Sequence, residues 1–243
     1  MASPHPLQDA FDRVDRALEH IGELDQREAA LGRVYHDALV VEFNSKEPHN
    51  ISSRLGQLIV VNSIFGILLG EIAYNLRAAL DYLVYELARH DSGAIQQGTQ
   101  FPICDFKSRF DGMRDRFLVG VNAAHRTAIE GLQPYSGCYW TAILRDISNP
   151  DKHCKLSDSA HGFAIHMNTM GYRTYAGAGM WASVCRSKRR AMHPTLGREM
   201  DVYLSTEVPV IVEISGRPKA VVKQVRELQT SVANTLKMFE PEF

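Results

Sequence analysis

Three features of the sequence predict an α+β protein, with a helical core around a long central helix, a small antiparallel β-sheet and a C-terminal amphipathic helix. Apolar residues recur at three- and four-residue steps over 7–31, 63–89 and 218–239, the period of helices with one buried face. Two apolar runs, 38–43 and 55–61, flank a polar break. From Lys155 to Ser215 the helical period gives way to glycines and short β-type runs.

The first helix follows Pro4 and Pro6, at a place where helices tolerate proline. Its stripe is Leu7, Phe11, Val14, Leu18, Ile21 and Leu24, which reads as core or as a partner surface. Residues 38–43 and 55–61, joined through Pro48 and Asn50, predict a hairpin with a long loop. Ser63 is the expected N-cap of the central helix, which should end before Asp91-Ser92-Gly93. Phe101-Pro102-Ile103-Cys104 reads as an extended anchor, because a residue before proline is pushed out of the helical region. Two short helices, 106–118 and 121–132, should be separated by Gly120, and a third, 141–147, should end at a turn, Asn149-Pro150-Asp151-Lys152-His153. Strands are expected at 163–167, 200–204 and 208–214. The whole of 1–243 reads as one domain, helix-rich over 1–156 and β-rich over 157–215, closed by the helix 218–239.

Composition bounds the function classes. With 45% apolar and 23% charged residues the chain has the make-up of a soluble globular protein. A net charge of −1 supplies no global field for nucleic acid or acidic lipid, so such binding would need a local patch. The one basic cluster is Arg186-Ser187-Lys188-Arg189-Arg190 with Arg198. Met1–Pro6 lacks the pattern of a signal peptide, and the run 64–69 is far short of the ~20 residues that span a bilayer. The four cysteines form no C-x-x-C pair and read as free thiols. A soluble cytoplasmic protein is the expectation. No P-loop, H-E-x-x-H or G-x-S-x-G motif occurs, and His153, Cys154, His161 and His166 lack a zinc spacing, so neither metal nor cofactor is expected.

The candidate site begins on the central helix. Opposite its apolar stripe lie Glu71, Tyr74, Asn75, Arg77, Asp81, Tyr82 and Tyr85, where a solvated face would be richer in Lys and Glu. Arg77 and Asp81 are one turn apart and suited to pair, as are Glu71 and Asn75. The face is either a ligand site or an internal network that fixes packing. The turn Asn149, Asp151, Lys152 and His153 brings an amide, a carboxylate, an ammonium and an imidazole, and imidazole exchanges protons near neutrality. If the two segments meet, Glu71, Asn75, Arg77, Asp81, Tyr82, Asn149, Asp151, Lys152 and His153 form one polar pocket. Arg77 and Lys152 would then serve a small anionic or phosphate-bearing ligand.

The segments GEIAYNLRAALDYLVYELA (70–88), FPI (101–103), IEGLQPY (129–135) and ISNPDKHCKL (147–156) resemble the signature blocks of a bacterial family of uncharacterised proteins, whose central helix reads N-L-R-[SA]-A-L-D and whose later turn reads N-x-D-K-H. The resemblance covers about 60–156 and implies no named reaction. Part of it is also similar to the R-x(4–6)-H element of HEPN helical ribonucleases, which cut RNA without metal in toxin and phage-defence settings. That likeness implies Arg77 as a catalytic residue, with Tyr82 in the histidine's place and His153 as the available imidazole. Two functions follow as expectations: a binding or effector protein with an anion site, or a HEPN-like endoribonuclease acting on RNA. The amphipathic terminal helices offer a surface for packing on the central helix or for a homodimer.

Overall fold

The computed structural model describes the backbone of 5–43 and 63–153, short segments between 160 and 214, and 217–243; side chains are described for 5–34, 64–148 and 220–243. Over the residues whose side chains are described, 80% are helical and no strand or sheet builds the core. The expected α+β class is therefore corrected to a helical one. Its first β element is overturned directly: Ala38–Phe43 is the last stretch of helix α1, Gln8–Phe43. A short apolar run such as ALVVEF fits a buried helix as well as a strand, and here the helix upstream simply continues through it. Residues 55–61 lie outside the described residues. Between 160 and 220 the backbone has short extended segments that pair with one another, and of their side chains nothing enters the account below.

Helix α2, Ser63–Ser92, is the axis of the fold. Phe65, Leu68, Leu69, Ile72, Ala73, Leu76, Ala79, Leu80, Leu83, Val84, Leu87 and Ala88 are all buried along it. So wide an apolar arc requires neighbours on more than one side. One is α1, whose Leu7, Ala10, Val14, Ala17, Ile21 and Leu24 are buried. Arg13 reaches Asn75 while His20 faces Glu71, so α1 and α2 run antiparallel. The other is α6, Val221–Phe239, with Val221, Val225, Leu228, Val232, Leu236 and Phe239 on its buried stripe. Arg226 meets Asp25 at 3.1 Å, and the Phe243 ring beyond α6 meets His5 at 6.1 Å. Helix α6 is thus antiparallel to α1 and parallel to α2.

Three short helices close one side of this core: α3, Lys107–Phe117; α4, Ala123–Gly131; and α5, Tyr139–His153. Asn122 caps α4, its side chain accepting the His125 N–H at 2.8 Å. Gly120, at φ +80°, makes the turn between α3 and α4 where a Cβ would lie 2.7 Å from Gln96 Cγ. The backbone of α5 stays helical to His153, so the turn expected at 149–153 is instead the end of a helix. Among the described residues, no helix is long and apolar enough to cross a membrane.

Candidate functional site

The polar side of α2 divides into two strips with separate partners. At about 100° per residue Arg77 and Asp81 share one line, while Glu71, Asn75 and Tyr82 share another roughly a third of a turn away. The first strip faces the loop Phe101–Cys104. Asp81 Oδ1 accepts the Phe101 N–H at 2.8 Å, and Arg77 Nη2 donates to the Phe101 carbonyl oxygen. Arg77 Nη2 also lies 3.4 Å from Asp81 Oδ1. Phe101 is completely buried, and its backbone groups need partners that the loop itself cannot supply.

The same loop is held from its far side. Gln133 Oε1 accepts the Cys104 N–H at 2.9 Å, and its Nε2 donates to the carbonyls of Pro102 at 2.9 Å and Ile129 at 3.0 Å. One residue further on, Arg145 of α5 holds both carboxylate oxygens of Asp105 at 2.8 Å. Three of the sequence blocks, the central helix, FPI and LQPY, therefore meet at one backbone segment. Burial pushes the Cys104 thiol up, as it does Cys138, so neither is an activated thiolate.

The second strip faces α1. Arg13 Nη1 donates to Asn75 Oδ1 at 3.3 Å and Nη2 to the Tyr82 hydroxyl at 3.4 Å, with the guanidinium 5.6 Å from the centroid of the Tyr82 ring. Asn75 in turn donates from Nδ2 to the Glu71 carbonyl at 2.8 Å, and His20 Nδ1 lies 3.5 Å from Glu71 Oε2. Asn75 is buried, whereas Tyr74 and Tyr82 are exposed. Arg13 and His20 escaped the sequence reading because the expectation placed them between the apolar positions of a helix with no assigned partner.

Of the expected site residues, Glu71, Asn75 and Tyr82 thus come together on one strip and Arg77 with Asp81 on the other. The side chains of Asn149, Asp151, Lys152 and His153 lie outside the described residues, as do those of Arg186, Lys188, Arg189 and Arg190.

A third cluster had no signal in the sequence. At the C-terminal end of α2, the Asp91 side chain is only 3% exposed and has four polar partners. Its Oδ2 accepts the Asn122 N–H at 2.8 Å and lies 2.7 Å from His125 Nδ1. Its Oδ1 accepts the Asn122 side-chain amide at 2.9 Å and lies 3.3 Å from His90 Nδ1. Burial pushes Asp91 upward, but the hydrogen bonds from Asn122, His125 and His90 outweigh it and hold the carboxyl below its ordinary value. The other ring nitrogen of His125, Nε2, faces Glu242 Oε2 at 3.5 Å. These groups pair with one another, and among the described residues no set of three or more His, Cys, Asp or Glu is placed to hold a metal ion. Compared with family models, curated proteins and solved structures, the chain matches none.

Proposed function

We propose that this is a binding protein whose central helix presents an anion site on its α1 side, with Arg13 as the cation and Asn75 and Tyr82 as its supports. One observation carries the reading: among the described residues, the partners of the Arg13 guanidinium are the neutral Asn75 and Tyr82, so its charge is oriented without being neutralised by them. Arg77, by contrast, is committed to Asp81 and the Phe101 carbonyl. A planar guanidinium held beside a tyrosine ring and its hydroxyl presents its remaining N–H groups in a fork suited to phosphate or carboxylate. The exposed hydroxyl of Tyr74 lies on the same helix, one residue before Asn75. A small phosphate-bearing ligand in a bacterial cytoplasm is the partner class that fits this chemistry.

The test is titration with inorganic phosphate, followed by side-chain NMR of the arginine guanidinium groups. Saturable shifts of Arg13 that vanish in Arg13→Ala and weaken in Tyr82→Leu support the reading. Shifts that never saturate, or that persist in Arg13→Ala, would remove it.

A further inference from the structure

We propose that the C-terminal turn Glu240–Glu242 is a pH-gated latch, closed on His125 when both ring nitrogens carry protons and loosened when one proton leaves. His125 stands between two carboxylates far apart in sequence, one at the end of α2 and one in the turn after α6. Asp91 Oδ2 lies 2.7 Å from Nδ1, and Glu242 Oε2 lies 3.5 Å from Nε2. The short contact with buried Asp91 keeps the proton on Nδ1. In a neutral ring Nε2 then turns a lone pair toward the Glu242 carboxylate, and the contact is repulsive. In the imidazolium Nε2 carries a hydrogen, and the same contact becomes a charge-assisted hydrogen bond.

What the latch holds is visible around it. The Phe239 ring, at the end of α6, meets His125 edge-on at 5.9 Å. The Phe243 ring meets His90 at 5.4 Å and His5 at 6.1 Å, so the chain terminus covers the end of α2 and touches the turn before α1. The groups facing His125 are Asp91 from α2, the Asn122 side chain beside α4, Phe239 from α6 and Glu242 from the turn. His90 acts on the opposite oxygen of Asp91, and His5 accepts the Leu7 N–H through Nδ1. Glu242 is half-exposed, which leaves the turn free to move when its contact weakens. The buried Asp91–His125 pair is not disturbed by that motion. Opening would uncover the His90 and His125 rings and the N-terminal turn as one surface.

The experiment is amide hydrogen exchange on the full chain, corrected for intrinsic rates, at about pH 5.5 and about pH 8.5, a span over which imidazole side chains change charge. Protection of residues 240–243 in the native protein should fall about two- to fivefold at the higher pH, the range expected for a half-exposed ion pair. In Glu242→Gln the fall should vanish, and this exposed substitution leaves the core intact if His125→Gln does not fold. In His90→Gln it should persist. The proposal is overturned if protection is equal at the two pH values, if Glu242→Gln keeps the fall, or if His90→Gln abolishes it.

Discussion

Asp81 and Phe101 are joined by a 2.8 Å hydrogen bond from the Phe101 N–H to the Asp81 carboxylate, while Arg77, one helical turn before Asp81, holds the carbonyl of the same Phe101. A single i,i+4 pair on the central helix thus satisfies both backbone groups of one buried residue. The distinction from a surface ion pair is energetic. Such pairs contribute about 0–1 kcal/mol, whereas a buried N–H left without an acceptor costs about 1–3 kcal/mol.

The ranking of substitutions at this position follows. Asp81→Ala removes the acceptor and should destabilise by about 1–3 kcal/mol. Asp81→Asn keeps an acceptor oxygen for the Phe101 N–H and gives up only the charge opposite Arg77, so it should cost less. Denaturant unfolding of the two variants measures the order. Equal losses would show that the Arg77–Asp81 attraction, and not the backbone bond, is what matters.

Arg77→Ala should likewise act on stability. Loss of the guanidinium removes the donor to the Phe101 carbonyl and the charge opposite Asp81, at a cost of about 1–3 kcal/mol. This bears on the expectation of metal-independent RNA cleavage. If Arg77 were a catalytic group, RNA incubated with the native protein in EDTA would be cut, and a folded Arg77→Ala protein would be inert. The outcome expected from its engagement with Phe101 is a lower melting temperature, with no cutting by either protein.

Gln133→Ala tests the other half of the clamp. The side chain is fully buried and makes three hydrogen bonds to the backbone of Pro102, Cys104 and Ile129. Its removal strands the Cys104 N–H and the Pro102 carbonyl, while the Ile129 carbonyl keeps the Leu132 N–H at 3.2 Å, so a loss of about 2–4 kcal/mol is expected. Hydrogen exchange should place the increase at Cys104 first, since that amide loses its acceptor outright.

The central helix was legible because its apolar period is long and unbroken, and its first helical residue is Ser63. The β assignment of 38–43 failed because periodicity cannot separate a helix end from a strand over six residues. The polar face of α2 was visible as a set, but its division between two neighbours was not. Glu71 and Asn75 lie on a different line of the helix from Arg77 and Asp81, and the two lines meet different neighbours. Nothing local marks Gln133 as a clamp, since its partners lie about thirty residues back in a loop. The Asp91–His125–Glu242 cluster was hidden for the same reason, each member coming from a different element.

Asp91 gives a pH prediction with a definite sign. Its folded-state value is lowered, so the stability it contributes is fully present above the ordinary carboxylate value of ~3.9 and is lost as pH falls through the lower folded value. Asp91→Asn should therefore be less stable than the native protein at neutral pH. Thermal unfolding as a function of pH should show the gap closing only below about pH 4. A gap that closes between neutrality and pH ~5 would assign the dependence to a histidine instead.

Gly120 combines two costs that a pair of substitutions can separate. Its φ of +80° lies where an L side chain is strained, and an added Cβ would sit 2.7 Å from Gln96 Cγ and 3.2 Å from the Ala88 carbonyl oxygen. Gly120→Ala should destabilise by about 1–3 kcal/mol from backbone strain and contact together. In a Gln96→Ala background the side-chain contact is gone, while the strain and the close approach to Ala88 remain. The glycine substitution should then cost less but stay unfavourable, as read by denaturant midpoints of the four proteins in the cycle. If the cost disappears altogether with Gln96→Ala, the steric contact alone is what glycine avoids at this turn. An unchanged cost would place the whole penalty in the backbone.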